Sequence, residues 1–481
     1  MRFGIRRFIA GTIAAGAIFG AAPSAATAQR GGDAGGVSDQ FLQRRRDLEL
    51  RNELRLAREL PTSQRFRVDY GGWFDAYLFL FDDGRESSRT FRQTEMQLWA
   101  SLSADRGIHE GYLRMRMTYS DWNAGDSFTP NEDDLDGPNL ERGWYQFDVA
   151  KALRLHGDRA TPFELKLKVG RDFVRTGTGF AISLPLDLVQ VQTEFADFET
   201  ILIGARTPAS TENIDRSRPV ADHSDRNFWI VQERYLGFDR HVPFFYIAWQ
   251  DDNTSEDPPD FLQKFRYSSR YIGFGSTGEL IDHLRYSTEW VLERGRSFGN
   301  ERFLRHDEIK AWAFDHQVEY LFSHKTKPRL SLEYMFASGD TNRLGSPTNA
   351  AGGNRKDHVD HGFVGFGFRD TGLAFAPRLS NIHVWRAGGA FRPFAEVEAA
   401  KNLELGTDWF VYAKHRSSAA VSDPFADRRS GYLGWEMDYF ANYRVTSDLA
   451  FTVRFGSFFP GRAFTDRTTR TFLLTGLSWS F

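Results

Sequence analysis

The sequence predicts an all-β protein, a single transmembrane antiparallel β-barrel of about 18 strands with a short N-terminal helical arm. From about Phe66 to the last residue, apolar and polar side chains alternate with a period of two. Aromatic residues make up 15% of the chain and recur on the apolar side of this alternation. Charges recur on the other side, where a soluble barrel would keep its core. An apolar outer face and a charged inner face are typical of outer-membrane barrels.

The alternation is clearest in a few segments. "YLRMRMTY" at 112–119 and "FELKLKV" at 163–169 each set apolar side chains on one face and basic ones on the other. "KFRYSSRY" at 264–271 is assigned in the same way, with Tyr267 and Tyr271 towards lipid. A β-sandwich has similar strands, but one of this length needs several domains joined by linkers, and the sequence contains no such linker.

The chain ends on "TRTFLLTGLSWSF", in which Leu473, Leu477, Trp479 and Phe481 share one parity. Soluble domains usually end in polar residues that fray, and this chain has a mean hydropathy of −0.48. A strand with one apolar and one polar face fits a barrel wall between lipid and water. The last segment is therefore interpreted as the lipid-facing strand that closes the barrel.

The N-terminal residues divide into two segments. Residues 1–28 have three Arg, then an apolar run, then Ala-Thr-Ala, which is the order of a cleaved signal peptide. Residues 29–65 form a polar lead-in and a charged helical arm, "FLQRRRDLELRNELRLAREL", that ends at Pro61 and is expected in the periplasm. Residues 66–481 form the predicted barrel, which places the mature protein in the cell outer membrane.

The composition excludes several classes of site. With no cysteine, the chain has no disulfide, zinc-thiolate site or Cys nucleophile. Its formal charge of −3 does not favour nucleic-acid binding. Lys occurs at only ten positions, so Arg supplies 51 of the 61 basic residues. Arg binds carboxylates bidentately, although a GC-rich genome produces the same excess.

Three segments resemble the alginate export family of outer-membrane barrels. They are 167–206, with Gly170-Arg171; 334–343 with 365–393, including "ASGD" and "LSN"; and 434–464, with Glu436, Asp438, Arg454 and "FPG". Asp172 departs from the Gln that is common after Gly-Arg in the family, and the charged arm at 41–60 is a further departure. The resemblance implies a passive channel that moves a polyuronate from the periplasm to the outside through a positively charged constriction shaped by inward loops.

Residues on the charged parity of the strands are the candidate substrate contacts in the lumen. The basic candidates are Arg171, Arg114, Arg116, Lys166, Lys168, Arg175, Lys264, Arg266, Arg270, Arg285 and Arg454; the acidic partners are Glu164, Glu436 and Asp438. Arg171 ranks first because motif and chemistry coincide there. Many weak cationic sites would attract a polyanion and still release it. The alternative is that these charges only keep the wall hydrated.

Other clusters are weaker. "KDHVDH" at 356–361 contains metal-ligand residue types, and "NEDDLD" at 131–136 can hold a structural Ca²⁺, but both fit polar loops as well. "DHS" at 222–224 has catalytic residue types without a motif that places them together. No cofactor and no catalytic residue is predicted.

The alternatives to export are a substrate-selective porin for small anions or oligosaccharides and a barrel enzyme with a site at the rim. The expected partners are an anionic polysaccharide, outer-membrane lipid, the barrel assembly machinery and a periplasmic polysaccharide synthesis or export complex.

Overall fold

The structure is a computed structural model that describes residues 66–84, 88–127, 132–156, 161–209, 224–254, 266–299, 306–343 and 357–481. The predicted signal peptide and the charged arm lie outside these ranges. No helix within them is long and apolar enough to cross a bilayer.

Eighteen long strands form the wall in the described ranges: β1 Phe66–Asp82, β2 Arg89–Ala104, β3 His109–Trp122, β4 Asp133–Asp148, β5 Glu164–Arg175, β6 Ser183–Phe195, β7 Phe198–Arg206, β8 Arg226–Tyr235, β9 His241–Asp252, β10 Ser268–Ile281, β11 Leu284–Gly299, β12 His306–Leu321, β13 Arg329–Ala337, β14 Ile382–Phe391, β15 Leu403–Lys414, β16 Tyr432–Arg444, β17 Leu449–Pro460 and β18 Arg470–Ser480. Each strand pairs antiparallel with its neighbours in the chain, and β18 pairs antiparallel with β1, which closes the barrel. The predicted barrel of about 18 strands is confirmed.

In the described part of the chain, three short elements lie outside the 18-strand ladder. Helix α1, Val149–His156, connects β4 to β5, and the 3₁₀ turn Asp105–Gly107 connects β2 to β3. A two-residue strand, Val359–Asp360, pairs parallel with β12.

The two ends of the barrel differ in their connections. At the end where Phe66 and Phe481 lie, here called the turn end, connections are as short as two residues, at 196–197 and 282–283. At the opposite, loop end, β13 and β14 are separated by residues 338–381. Short turns face the periplasm and long loops the exterior in outer-membrane barrels, so the turn end corresponds to the periplasmic side.

The outer face is apolar along most strands, as predicted. Leu113, Met117 and Tyr119 are exposed on β3, and Trp290 and Leu292 on β11. Glu289 and Glu293, on the other parity of β11, are fully buried inside.

Aromatic pairs line the turn end, and at least one ring of each pair is exposed. The ring centroids lie 4.9 Å apart in Phe198–Tyr235, 4.7 Å apart in Tyr320–Phe322 and 5.2 Å apart in Trp479–Phe481. An aromatic girdle of this kind marks a membrane–water interface. The last strand thus ends in that girdle, as its parity predicts.

The prediction was wrong for 264–271. Tyr267 and Tyr271 point inwards and are fully buried, whereas Arg266 and Arg270 are exposed. The cause is that protein fills the lumen near the loop end, so the inner face of β10 is aromatic there. Alternation alone does not distinguish such an inner face from a lipid-facing one.

The acidic cluster at 131–136, which fits a polar loop in the sequence, is partly strand. β4 begins at Asp133, which pairs with Asp121 of β3, whereas β4 pairs with β5 only from Gly143 onwards. The acidic residues 133–136 are exposed. This half of β4 is therefore a two-stranded extension beyond the wall, where charge is tolerated.

A charge introduced on the outer face tests which face contacts lipid. Leu292→Arg, midway along β11, should destabilise the folded barrel in lipid vesicles by about 2–4 kcal/mol. Ser287→Arg, on the lumenal parity of the same strand, is the control and should change stability little. The measurement is urea-induced unfolding followed by Trp fluorescence. Equal losses in both variants would contradict the assignment of the two faces.

Candidate functional site

Two loops from the loop end turn into the lumen and meet. Inner loop 1 is Thr176–Ile182, between β5 and β6, and inner loop 2 is residues 361–381, before β14. The Phe366 N–H donates to the Ala181 carbonyl at 2.7 Å, and the Phe368 N–H donates to the Gly179 carbonyl at 3.1 Å. A Cβ on Gly367 would lie 2.1 Å from the Phe180 carbonyl oxygen, so this contact requires glycine.

Buried carboxylates of the wall hold both loops by their backbone amides. Glu289 of β11 accepts the Thr178 N–H of inner loop 1 at 2.6 Å, and the Tyr246 hydroxyl donates to Glu289 at 2.6 Å. Glu293, four residues further along the same strand, accepts the Val364 N–H of inner loop 2 at 2.9 Å. These carboxyl groups satisfy backbone N–H groups that are buried inside the barrel, so Glu289 and Glu293 fix the two loops to the wall.

Glu436 of β16 anchors the second half of inner loop 2. It accepts the N–H groups of Leu373 at 2.6 Å, Ala374 at 2.6 Å and Phe375 at 2.9 Å. The Tyr412 hydroxyl donates to it at 3.1 Å. Three successive amides on one carboxylate form a local anion-binding turn, which here binds a side chain of the protein's own wall.

Arg369 of inner loop 2 connects the two loops to the wall. Its Nε donates to Asp315 of β12 at 2.6 Å, and its Nη1 donates to the Thr178 carbonyl of inner loop 1 at 3.3 Å. Its guanidinium lies 5.2 Å from the Phe180 ring centroid. Burial lowers the pKa of Arg369, but Asp315, Glu289 and Glu333 outweigh that cost and raise it. The charge of Arg369 is thus compensated by carboxylates of the protein itself.

Arg386 of β14 forms a second clamp. Its guanidinium contacts Asp408 at 2.9 Å, Glu333 at 3.1 Å and, on inner loop 2, Asp370 at 3.4 Å. It also lies over the Phe410 ring at 5.6 Å. Three carboxylates around one guanidinium occupy most of its donors, so Arg386 ties inner loop 2 to β13 and β15.

Several predicted cations lie on the lumenal parity of the strands. Arg114 is buried with Nε 2.9 Å from Glu141, and Lys168 Nζ lies 3.0 Å from Asp172. Arg454 lies over the Phe440 ring at 5.6 Å, near the carboxylates of Asp408 and Asp438. The other members on this parity are Arg116 and Lys166, both half-buried, and Arg285, which is exposed opposite Glu279 and Glu319.

Arg171, ranked first from the sequence, faces the other way. Lys168 and Asp172 are lumenal, whereas Arg171 shares the outward parity of Val169 and donates from Nε to Asp187 at 2.6 Å. Its Nη1 donates to the Leu140 carbonyl at 2.8 Å. Arg171 was grouped with the charged parity from the sequence, but the lumenal residues of β5 are Lys166, Lys168 and Asp172, and Arg171 lies on the opposite parity.

The remaining basic candidates do not join the lumenal set. Arg175 donates from Nε to the Thr178 carbonyl at 2.9 Å and so supports inner loop 1. Arg266 donates to the Thr254 carbonyl at 3.4 Å, and Arg270 follows the outward parity of Phe274. Lys264 lies outside the described residues.

The three predicted acidic partners have different roles. Glu164 lies at the turn end and pairs with Arg154 of α1. Glu436 and Asp438 are buried on the lumenal side of β16. Glu436, however, binds backbone amides of inner loop 2 instead of orienting an arginine.

The sequence does not predict the connected set formed by Arg369, Arg386, Glu289, Glu293 and Asp315. A Glu within a mainly apolar strand was a sign of a buried carboxylate. "LSLEYMF" and "LRYSTEWVL" each place a Glu on the side opposite the apolar face. The partners of those carboxylates are distant in the chain: Glu289 accepts the Thr178 N–H of inner loop 1, 111 residues away, and Glu333 pairs with Arg386 of β14, 53 residues away. No local pattern connects them.

The weaker clusters also have definite surroundings. Asp360 of "KDHVDH" pairs with Arg343 and accepts the Ser297 hydroxyl at 2.6 Å. Ser224 of "DHS" accepts from Arg226 Nε at 2.8 Å, while His223 lies outside the described residues. Within the described ranges no three His or acidic side chains converge as a metal site.

The fold is similar to that of solved outer-membrane channels of Pseudomonas aeruginosa. OccK2 (OpdF) has a TM-score of 0.52 at 14% identity, with 87% of this chain and 99% of that chain covered. OccK8 (OprE) has a TM-score of 0.51 at 12% identity, with 86% and 98% covered. OccK2 in complex with glucuronate has a TM-score of 0.50 at 12% identity, with 87% and 99% covered. At these identities the likeness shows the fold.

A curated relative, Fem-3 mRNA-binding factor 1 of Caenorhabditis elegans, is 27% identical over 132 residues. That match covers 27% of this chain, which spans about a fifth of the relative's length.

The sequence profile described as "Alginate export" matches residues 81–473, which is most of the barrel. Together with the 18-stranded wall, this match identifies an outer-membrane, porin-like channel, and the chain belongs to the alginate export family.

Proposed function

We propose that the barrel is a passive conduit that exports an anionic polysaccharide, alginate or an alginate-like polyuronate, from the periplasm to the outside. Membership of the alginate export family is the observation that carries this proposal. A polyuronate has one carboxylate on each sugar, so its path needs repeated weak cationic contacts. The outer membrane has no energy source of its own, so a periplasmic synthesis or export complex would drive the polymer.

The lumenal cations of β3 to β5 are the proposed contacts. Arg116, Lys166 and Lys168 are half-buried on the inner parity; the two lysines lie in the turn-end half of the barrel and Arg116 near the middle of β3. Arg369 and Arg386 are surrounded by carboxylates of the protein, so their proposed part is to shape the constriction. Competition from acids such as Asp172, 3.0 Å from Lys168, would keep each contact with the polymer weak and the polymer mobile.

The proposal includes the steps that bring the chain to its membrane. Residues 1–28 would direct export across the inner membrane and be removed, and the barrel assembly machinery would recognise the C-terminal strand, which ends in Phe481. Residues 29–65 would remain on the periplasmic side. The wall itself contacts outer-membrane lipid.

Reconstitution in a planar bilayer tests the proposal. Oligouronate added to one side should block the current, and Lys166→Ala/Lys168→Ala should raise its dissociation constant about tenfold, as expected when two charge-assisted contacts are lost. Lys401→Ala, at an exposed turn-end site beside Glu398, is the matched control and should leave the block unchanged. A wild-type channel that oligouronate does not block would refute the proposal.

Uptake of small uronates is the second candidate, because OccK2, which shares the fold, has been solved in complex with glucuronate. The two functions differ in a deletion strain. Loss of secreted polymer favours export. Loss of growth on small uronates, with normal polymer secretion, favours uptake.

A further inference from the structure

Four aromatic side chains form a continuous row inside the barrel near the turn end. Trp73 of β1, Trp99 of β2, Tyr112 of β3 and Trp144 of β4 lie on the inner parity of consecutive strands. Successive ring centroids lie 6.3, 6.4 and 6.0 Å apart, and the last two pairs are stacked with interplanar angles of 17° and 23°. We call this row the aromatic track.

Cations support one side of the track. The Arg114 guanidinium lies 5.9 Å from the Trp73 centroid, Arg142 lies 5.3 Å from that of Tyr112, and Lys168 Nζ lies 4.6 Å from that of Trp144. Arg114 and Arg142 are themselves buried in ion pairs with Glu141 and Asp172. Cation–π contacts of this kind fix ring orientation.

The remaining ring of the track, that of Trp99, rests on a glycine. An added Cβ on Gly71 would lie 3.1 Å from Cζ2 of Trp99, so the indole lies across the backbone of β1. All four rings nevertheless remain half-buried, between the exposure of a core ring and that of a surface ring. Their remaining accessible surface lies on the lumenal parity, so rigid aromatic surface borders the channel.

We propose that the aromatic track is a saccharide-binding subsite on which pyranose rings of the transported polymer stack. The apolar C–H face of a sugar packs against an aromatic ring, and the sugar hydroxyls at its edge stay hydrated. Spacings of about 6 Å are close to the length of one pyranose unit. Arg116 lies four residues beyond Tyr112 on β3, and Lys166 lies four residues before Gly170, the partner of Trp144, on β5. At about 13 Å from the track along the strands, they can bind carboxylates of neighbouring units. Only the anionic nature of the sugar rests on the proposed function.

The experiment compares two blockers of equal length, an oligouronate and a neutral oligosaccharide, in the planar bilayer. Trp99→Leu and Trp144→Leu should each raise the dissociation constants of both blockers about fivefold, which is the size expected for the loss of one ring contact. Trp144→Phe, which keeps a ring, should change them less. Trp409→Leu, an exposed Trp on the outer face of β15, is the matched control and should have no effect on either blocker.

The outcomes separate the two proposals. If the Trp variants weaken the neutral sugar but oligouronate binds wild type no better than that sugar does, the track is supported and polyuronate export is not. If both Leu variants and Trp144→Phe keep wild-type block by both sugars, the track is refuted. A wild-type channel that neither sugar blocks also refutes it. Normal migration of the folded barrel on unheated gels checks that each variant is folded.

Discussion

Replacing residues 338–381 with Asn-Gly should give a barrel that conducts several-fold more current than the wild type. Ala337 and Ile382 face each other in the β13–β14 register, so a two-residue turn can join the strands without disturbing them. The excision removes inner loop 2 and the contacts that it makes with inner loop 1. The lumen of an 18-stranded barrel without such a loop is a wide aqueous channel.

The size of the expected increase in conductance follows from the side chains that inner loop 2 places in the lumen. Phe363 is 1% exposed, and Phe366, Leu373 and Phe375 are also buried against aromatic side chains of the wall. Phe375 stacks on Phe458 of β17 with centroids 4.3 Å apart. After excision, water replaces these rings and solvates Glu293 and Glu436, so the wall should still assemble. Single-channel conductance in planar bilayers measures the change.

A single substitution gives the same test on a smaller scale. Gly367→Val places a side chain against the backbone carbonyls of inner loop 1 and should raise the conductance, although less than the excision does. Gly431→Val is the matched control, because a Cβ at Gly431 meets no atom within 4 Å. Wild-type conductance in the excised barrel would mean that inner loop 2 does not restrict the conducting path.

The wall of this protein was predictable because lipid and water impose opposite demands on alternate residues. "YLRMRMTY" follows that rule along its length, and the closing strand follows it from Thr475 onwards. At Phe472 and Leu474 the inner face of the closing strand packs instead in a buried cluster with Tyr77 and Phe79. The rule failed at Tyr271, whose hydroxyl donates to Glu293 at 3.2 Å and to the Val364 carbonyl at 2.5 Å. There the inner neighbour is protein, and an inward aromatic has the same pattern as an outward one.

The two inner loops were less predictable, because their hydrogen-bond partners are distant in the chain. The loops also have no regular alternation of apolar and polar residues. Inner loop 2 follows a segment predicted as a surface loop, and its Phe residues alternate with Gly over a few positions only. A resemblance to the alginate export family implied inward loops, but not which carboxylates hold them. Arg171 shows the converse case, because a family motif was matched there and the side chain points outwards to Asp187.

Arg386→Ala should be the most destabilising single substitution in the lumen among the changes considered. It would leave Glu333, Asp370 and Asp408 close together without the guanidinium that they share. Removing one partner of a buried ion pair typically costs about 3–5 kcal/mol, and here three acids lose the same partner. The measurement is urea-induced unfolding in lipid vesicles at neutral pH, followed by Trp fluorescence.

Arg329→Ala is the matched control. Arg329 lies on the neighbouring strand β13 and pairs with Glu404 at 3.1 Å and with Glu319 at 3.6 Å, but its side chain is 41% exposed. Solvent screens such a pair, so its loss should cost no more than about 1 kcal/mol. The difference between the two variants isolates the effect of burial from that of removing an arginine.

Acid should partly rescue Arg386→Ala, because protonation removes the repulsion among the three carboxyl groups. The gap in unfolding free energy between this variant and the wild type should therefore narrow as the pH falls from 7 to about 4. A gap that stays constant would assign the loss to the packing of Arg386 on Phe410 instead of to its charge. If Arg386→Ala were as stable as Arg329→Ala, water would have to reach the three acids, and the lumen around residue 386 would be open to solvent.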